Sequence, residues 1–199
     1  MPQNFFVIGE PKAGKTTLLK EVIAELKKKG LKVGGFISPE ERHHGTRTAF
    51  YVMDVDTGKK AELANVKGDG PKVSKYHVNV KSFEGIALPC MEKADSYDVF
   101  VIDEIGIMEL KSAKFADKLD ELIDSHVPLV AALHKDFVKW YGPAGELMEL
   151  SVSSRQAVAT RLLRKAKESF GKREKTAPKK PAVKKPAKAE AKPAKKPEK

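Results

Sequence analysis

Three short runs of consecutive apolar residues mark the chain, at residues 5–8, 99–102 and 129–133. Each run has the length of one strand and is apolar on both faces, which is typical of strands that are covered on both sides in a parallel sheet. Less uniform patterns predict further strands at residues 33–38, 76–80 and 147–152.

Segments with helical spacing of apolar residues separate these strands. From Thr16 the apolar residues recur on one helix face as far as the lysines before Gly30, where positive charge suits the end of a helix. Further helices are predicted from Ser82 and from Ser112 as capping residues, near residues 135–140 and over residues 156–170. This order of elements predicts an α/β fold with a mostly parallel central sheet and helices on both faces.

Two strand-forming segments in the first half of the chain predict a β-hairpin. Residues 48–54 are rich in β-branched and aromatic side chains, and residues 60–64 follow after the turn residues Asp56, Thr57 and Gly58. We expect these antiparallel strands to extend the parallel sheet.

Composition divides the chain into two parts. A length of 199 residues with 41% hydrophobic residues suits one globular domain. The formal net charge is +11, but residues 171–199 hold twelve Lys and Arg against three Asp and Glu, so residues 1–170 are nearly neutral. The last segment is almost wholly Lys, Pro, Ala and Glu and cannot bury a core. We predict a domain at residues 1–170 and a disordered basic tail at residues 171–199.

The basic tail has two open interpretations. A lysine-rich polycation can bind nucleic acid or an acidic partner nonspecifically, through counterion release. The same composition also suits a solubilising extension. A block of like charge does not identify a binding partner, so the sequence favours neither interpretation.

Cysteine content and hydropathy bear on the compartment. Cys90 is the only cysteine, so no internal disulfide can form, and a reducing compartment is expected. The N-terminus has no signal-like segment, and no apolar run approaches the ~18 residues of a membrane span. We predict a cytoplasmic protein without a membrane partner, whose oligomeric state these patterns do not determine.

The first predicted strand and helix flank a phosphate-binding motif. The segment from Gly9 to Thr16 matches G-x-x-x-x-G-K-[ST], whose glycines let backbone N–H groups face phosphate oxygens. Lys15 is expected to neutralise the β- and γ-phosphates as a catalytic residue, and Thr16 to bind Mg²⁺. The predicted nucleotide-binding residues here are Gly9, Glu10, Pro11, Lys12, Ala13, Gly14, Lys15, Thr16 and Thr17.

The apolar strand at residues 99–102 is followed directly by Asp103 and Glu104. Ligands of open α/β sheets sit at the carboxyl ends of the strands, so Asp103 is predicted to hold Mg²⁺ and Glu104 to polarise the attacking water as catalytic base. An acidic strand end also fits a strand that emerges into solvent, but the phosphate-binding motif favours the functional roles. The chain lacks an Asn-Lys-x-Asp element, which predicts that ATP and GTP are both accepted unless residues 151–155 prove selective.

Together these segments resemble the small P-loop nucleoside-triphosphatases, the family of the cancer-related NTPase and its thermophilic bacterial and archaeal relatives. The resemblance spans residues 4–133, about two thirds of the chain. The matching segments are residues 9–17, residues 35–40 with Arg47 and Phe50, Tyr76, and residues 82–84, 87–89, 102–106 and 108–110.

The resemblance implies a RecA-like domain and Mg²⁺-dependent hydrolysis of several nucleoside triphosphates to diphosphates. It also implies nucleotide contacts from the end of the apolar strand at residues 99–102 and from the residues that follow it. These are Val101, Ile102, Asp103, Glu104, Ile105, Gly106, Ile107 and Met108. The chain departs from the family at Ala49, where a glycine is usual. It departs again at residues 152–155, which keep only Arg155 of a Thr-x-x-Asn-Arg element.

Several charged residues have two interpretations. Arg42, Arg47 and Arg155 are each candidates for a transition-state arginine, with a salt-bridge role as the alternative. His43 and His44 fit an exposed loop better than a metal site, because adjacent side chains seldom converge on one ion. His134 follows a predicted strand and either senses the γ-phosphate or packs.

Three functions are compatible with these features. The first is a hydrolase of free nucleoside triphosphates. A small nucleoside or nucleotide kinase would use the same phosphate-binding loop, since Glu104 could also accept a proton from a substrate hydroxyl. A nucleotide-dependent binding protein would act on nucleic acid through the basic tail.

Overall fold

The computed structural model describes residues 3–173, and the predictions about residues 174–199, including their disorder and partners, lie outside the described residues. The described part forms one ten-stranded sheet with five α-helices. The strands are β1 (Asn4–Ile8), β2 (Val33–Ile37), β3 (Glu40–His43), β4 (Thr46–Asp54), β5 (Lys60–Asn65), β6 (Lys72–Val73), β7 (Tyr76–Val78), β8 (Val99–Ile105), β9 (Leu129–Leu133) and β10 (Glu146–Glu149). The helices are α1 (Lys15–Lys28), α2 (Val80–Glu92), α3 (Ala113–Asp124), α4 (Val138–Tyr141) and α5 (Arg155–Arg173).

The sheet has a parallel half and an antiparallel half. The parallel strands run in the order β10-β1-β9-β8-β2, and the antiparallel strands continue as β4-β5-β7-β6, with β3 paired to β4. The predicted α/β class with a parallel sheet and added antiparallel strands is therefore confirmed. The antiparallel half exceeds the single hairpin predicted, partly because β3 is exposed along its whole length and shows no apolar alternation.

Helices cover both faces of the sheet, as predicted. Phe5 and Val7 of β1 pack with α1 and α5 on one face, while Phe6 packs with α2 and α3 on the other. This division follows from the alternation of side chains along a strand. Among the helices of residues 3–173, none combines the length and the apolar character needed to span a bilayer.

Some element boundaries differ from the prediction. Helix α2 begins at Val80, and its cap is Asn79, whose side chain accepts a hydrogen bond from the backbone N–H of Ser82 at 3.0 Å. The prediction of Ser82 as the cap is therefore wrong, because Ser82 already lies in the first turn. The last strand ends early, since the Ser154 hydroxyl donates to the Glu149 carbonyl and closes a turn. The last helix continues to Arg173, beyond the predicted domain boundary at 170.

Candidate active site

The strand order brings the phosphate-binding loop and the acidic strand end to one edge of the sheet. Strands β1 and β8 lie on either side of β9, all three parallel, so their carboxyl ends point the same way. The loop after β1 turns into α1 at Gly14, whose φ of 90° favours glycine. A Cβ at this position would lie 2.8 Å from Nη1 of Arg155, so the end of that flexible side chain would have to move.

Lys15 lies at the start of α1 with its side chain folded into the loop. Its Nζ donates to the Gly9 carbonyl at 2.9 Å and lies 3.5 Å from the Glu10 carbonyl. The same nitrogen is 4.0 Å from Oε1 of Glu104. The loop therefore holds a positive charge between its own carbonyl groups and the acidic end of β8, where anionic phosphate oxygens could replace the carbonyl partners.

Thr16 and Asp103 are the two predicted metal-binding residues, and the structure brings them into contact. The Thr16 hydroxyl donates to Oδ1 of Asp103 at 3.0 Å, and the backbone N–H of Ser38 donates to Oδ2 at 3.2 Å. Asp103 is 2% exposed, and this burial raises the pKa of its carboxyl group to about 6 against the opposing effect of those hydrogen bonds.

This donor set fits Mg²⁺. A carboxylate and a hydroxyl supply hard oxygen ligands, and Mg²⁺ in nucleotide sites is held by one or two such groups together with the phosphates. A buried carboxyl group whose pKa is raised also gains from a nearby cation, which would favour its ionised form. Thr16 and Asp103 are the residues that would hold the metal.

A cavity of about 710 Å³ lies over these groups. Most predicted nucleotide-binding residues line it, namely Gly9, Pro11, Lys12, Gly14, Lys15, Thr16, Thr17, Asp103, Glu104, Gly106, Ile107 and Met108. Within the described chain, Glu10 and Ala13 do not line this cavity. Val101, Ile102 and Ile105 are placed elsewhere, because their side chains are fully buried between the sheet and its covering helices. The nucleotide contacts that the resemblance implies for these three residues stay a prediction.

Glu109 is a cavity residue that sequence reasoning did not single out. It follows β8 in a short 3-10 turn, is 5% exposed and lies beside Gly106, where a Cβ would be 2.9 Å from its Oε2. Burial, with a contribution from the charge of Glu104, raises the pKa of Glu109 to about 8. The only sequence signal was its place in the Met108-Glu109-Leu110 match to the family, because no periodicity predicts a buried acid here.

The hairpin formed by β3 and β4 supplies another wall of the cavity. Glu40, Arg42, Arg47 and Phe50 all line it. The carboxylate of Glu40 pairs with both arginines, which lowers the pKa of Glu40 although partial burial alone would raise it. Two of the three candidate arginines therefore face the site.

The remaining candidates have other surroundings. Arg155 pairs with Glu21 at 2.8 Å and lies 3.4 Å from the Gly14 carbonyl, so it supports the loop from outside the cavity. His134 lines the cavity, and its Nδ1 accepts from the backbone N–H of Asp136 at 3.3 Å. His43 and His44 are exposed at the tip of the hairpin, and among the described residues no three metal-binding side chains cluster.

Comparison with known proteins identifies the family of the chain. Residues 4–163 match the family model described as "NTPase". The chain is 40% identical over 164 residues to the nucleoside-triphosphatase THEP1 of Methanocaldococcus jannaschii, covering 81% of this chain and 96% of that protein. It is 37% identical over 172 residues to the protein of the same name from Pyrococcus abyssi, covering 86% and 96%.

Two solved structures share the fold. The crystal structure of THEP1 from the hyperthermophile Aquifex aeolicus matches with a TM-score of 0.71 at 31% identity, covering 81% of this chain and 97% of that one. The solution structure of a human cancer-related nucleoside triphosphatase matches with a TM-score of 0.72 at 26% identity, covering 83% and 98%.

Proposed function

The chain belongs to the NTPase family, and we propose that it hydrolyses nucleoside triphosphates, ATP and GTP among them, to the diphosphate and phosphate with Mg²⁺ as cofactor. Family membership makes it a nucleoside-triphosphatase and therefore a hydrolase. The observation that carries the proposal for substrate and metal is the contact between Thr16 and Asp103 at 3.0 Å, in the same cavity as Lys15 and Glu104.

Each group has a task in this reaction. The backbone N–H groups before α1 and the Lys15 ammonium bind the β- and γ-phosphates, and the helix dipole adds to the attraction. When bound, Mg²⁺ neutralises charge on the phosphate oxygens. Glu104, whose side chain is 33% exposed and lines the cavity, is the base that orients the attacking water.

Loose base selectivity follows from what the chain lacks and from how the site is built. The residues assigned to the site would contact phosphate and metal, and the sequence contains no Asn-Lys-x-Asp element to read guanine. We therefore expect similar turnover with ATP and GTP.

The test is phosphate release from ATP and GTP with Mg²⁺, with nucleotide binding measured in parallel. Glu104→Gln should lower kcat by roughly 10² to 10⁴ with binding retained, because general-base catalysis contributes about that much. Lys15→Ala should weaken binding as well, because it removes a phosphate ligand. Glu149→Gln, at an exposed position on β10, is the matched control and should behave as wild type.

Either of two results would contradict the proposal. Binding of Mg²⁺-nucleotide by the wild type without phosphate release would favour the kinase alternative, and a labelled phosphate found on an added nucleoside acceptor would establish it. Unchanged hydrolysis by Glu104→Gln would remove Glu104 from the role of base.

A further inference from the structure

The hairpin of β3 and β4 is anchored to the metal-binding carboxylate. The backbone N–H of Ser38, which precedes the hairpin, donates to Asp103 at 3.2 Å. The next residue, Pro39, accepts a hydrogen bond from the backbone N–H of Tyr51 on β4 at 2.8 Å. The polar residues at the base of the hairpin are therefore held at a defined place beside the phosphate-binding loop.

The register of the two strands decides which side chains face the cavity. Glu40 pairs with Phe50 and Arg42 pairs with Arg47, while Thr48 is skipped in the pairing with β3. With strict alternation, Arg47 and Phe50 would point to opposite faces, since they are three residues apart. The extra residue, Thr48, places Arg47 and Phe50 on the same face of the hairpin. Bulges of this kind often change the direction of a side chain next to an active site.

Glu40 joins the two arginines but leaves them in different surroundings. Oε1 of Glu40 pairs with Nε of Arg42, and Oε2 pairs with Nε of Arg47. The Arg47 guanidinium lies over the Phe50 ring, 4.9 Å from its centroid, with 32% of the side chain exposed. Arg42 is 46% exposed and donates to the Gly45 carbonyl in the hairpin turn at 3.1 Å. Arg47 thus packs against an aromatic ring, whereas Arg42 is hydrogen-bonded to the turn at the tip of the hairpin.

We propose that Arg47 is a catalytic arginine supplied in cis, which contacts the γ-phosphate during hydrolysis and which Glu40 holds at the cavity wall before the nucleotide binds. The inference rests on the proposed function. A guanidinium stays protonated and can replace one carboxylate partner by phosphate oxygens in the same fork geometry, so the step transfers no proton. Arg47 lines the same cavity as Lys15, so its charge would add to that of Lys15 where negative charge accumulates on the γ-phosphate in the transition state.

The experiment compares Arg47→Ala and Arg47→Lys with Arg42→Ala in the full chain. Arg42 shares the strand pair and the Glu40 partner, so it controls for loss of that ion pair. We measure kcat for Mg²⁺-ATP, and the affinity for ADP with and without aluminium fluoride, a transition-state mimic. Both Arg47 variants should lower kcat about 10³-fold or more, as other transition-state arginines do. They should lose the tighter ADP binding that aluminium fluoride confers, and keep the affinity for ADP alone within about threefold of wild type. Arg42→Ala should still bind ADP more tightly when aluminium fluoride is present.

Retained ADP binding shows that the Arg47 variants are folded, which separates a catalytic role from a structural one. The proposal is overturned if Arg47→Ala keeps kcat within about tenfold of wild type, or if Arg42→Ala loses as much, because transition-state arginines contribute far more than tenfold. Glu40→Gln should bind ATP more tightly, since the competing carboxylate is gone, and weaker binding would overturn the role of Glu40. If the wild type itself releases no phosphate, the proposed function fails. If the wild type is active and the Arg47 variants are equally active, only the role of Arg47 fails.

Discussion

Substitution of Glu109 by glutamine should stabilise the nucleotide-free protein at alkaline pH and change its stability little in acid. Glu109 is almost fully buried, and burial raises its pKa from 4.5 to about 8. Below pH 4.5 the carboxyl group is protonated in both the folded and the unfolded chain. As the pH rises towards 8, the unfolded chain releases the proton while the folded protein keeps it, so the free energy of unfolding falls.

The size of this effect follows from the interval between the two pKa values. Each pH unit in that interval corresponds to about 1.4 kcal/mol, so the free energy of unfolding falls by roughly 3 kcal/mol by pH 7 and roughly 4 kcal/mol by pH 8, where the folded group is half ionised. Glutamine has the same shape and no charge to bury. Its side-chain oxygen can accept the hydrogen bonds that the carboxyl group receives from the backbone N–H groups of Gly106 and residue 109.

The assay is urea unfolding of wild type and Glu109→Gln across the range from about pH 5 to about pH 8.5, with EDTA and no nucleotide. The difference in unfolding free energy between the two proteins should grow with pH by a few kcal/mol. Glu149→Gln, at the exposed control position on β10, should show no such trend. A difference that stays constant over this range would refute the argument, because it would mean that Glu109 ionises alike in the folded and unfolded chain. Asp103 also has a raised pKa, but it is present in every variant, so its own burial contributes equally to each protein.

Two further predictions concern the fold. Asn79→Ala should lower the free energy of unfolding by about 1 kcal/mol through loss of the α2 cap, whereas Ser82→Ala should cost under about 0.5 kcal/mol; equal urea midpoints for the two variants would contradict the assignment of the cap. Gly35→Ala should cost more than about 3 kcal/mol or prevent folding, because φ is +110° and the new Cβ would lie 1.9 Å from the Val101 carbonyl oxygen. Gly30→Ala, also at positive φ but with no atom within 4 Å, should cost only about 1–2 kcal/mol, and thermal unfolding of both variants would reveal whether the close contact matters.

Local patterns were enough for the parallel half of the fold and for the phosphate-binding loop. The buried strands are apolar on both faces, and the motif from Gly9 to Thr16 is continuous in sequence, so each signal lies within a few residues. Asp103 and Glu104 could be placed beside that loop because parallel strands end at a common edge. In these cases the residues that decide the structure are neighbours along the chain.

The tertiary structure alone decided the features that depend on distant partners. Strand β3 is wholly polar and exists through its pairing with β4, while the skip at Thr48 turns Arg47 towards the cavity. Glu109 is acidic like many surface residues, and only packing around the turn after β8 shows that it is buried. The sequence by itself was enough to predict the fold class, the phosphate-binding loop and the acidic strand end, because their signals are local. The second wall of the cavity and the charge state of its buried acid came from the structure, because strand register and burial are set by contacts between segments far apart in the chain.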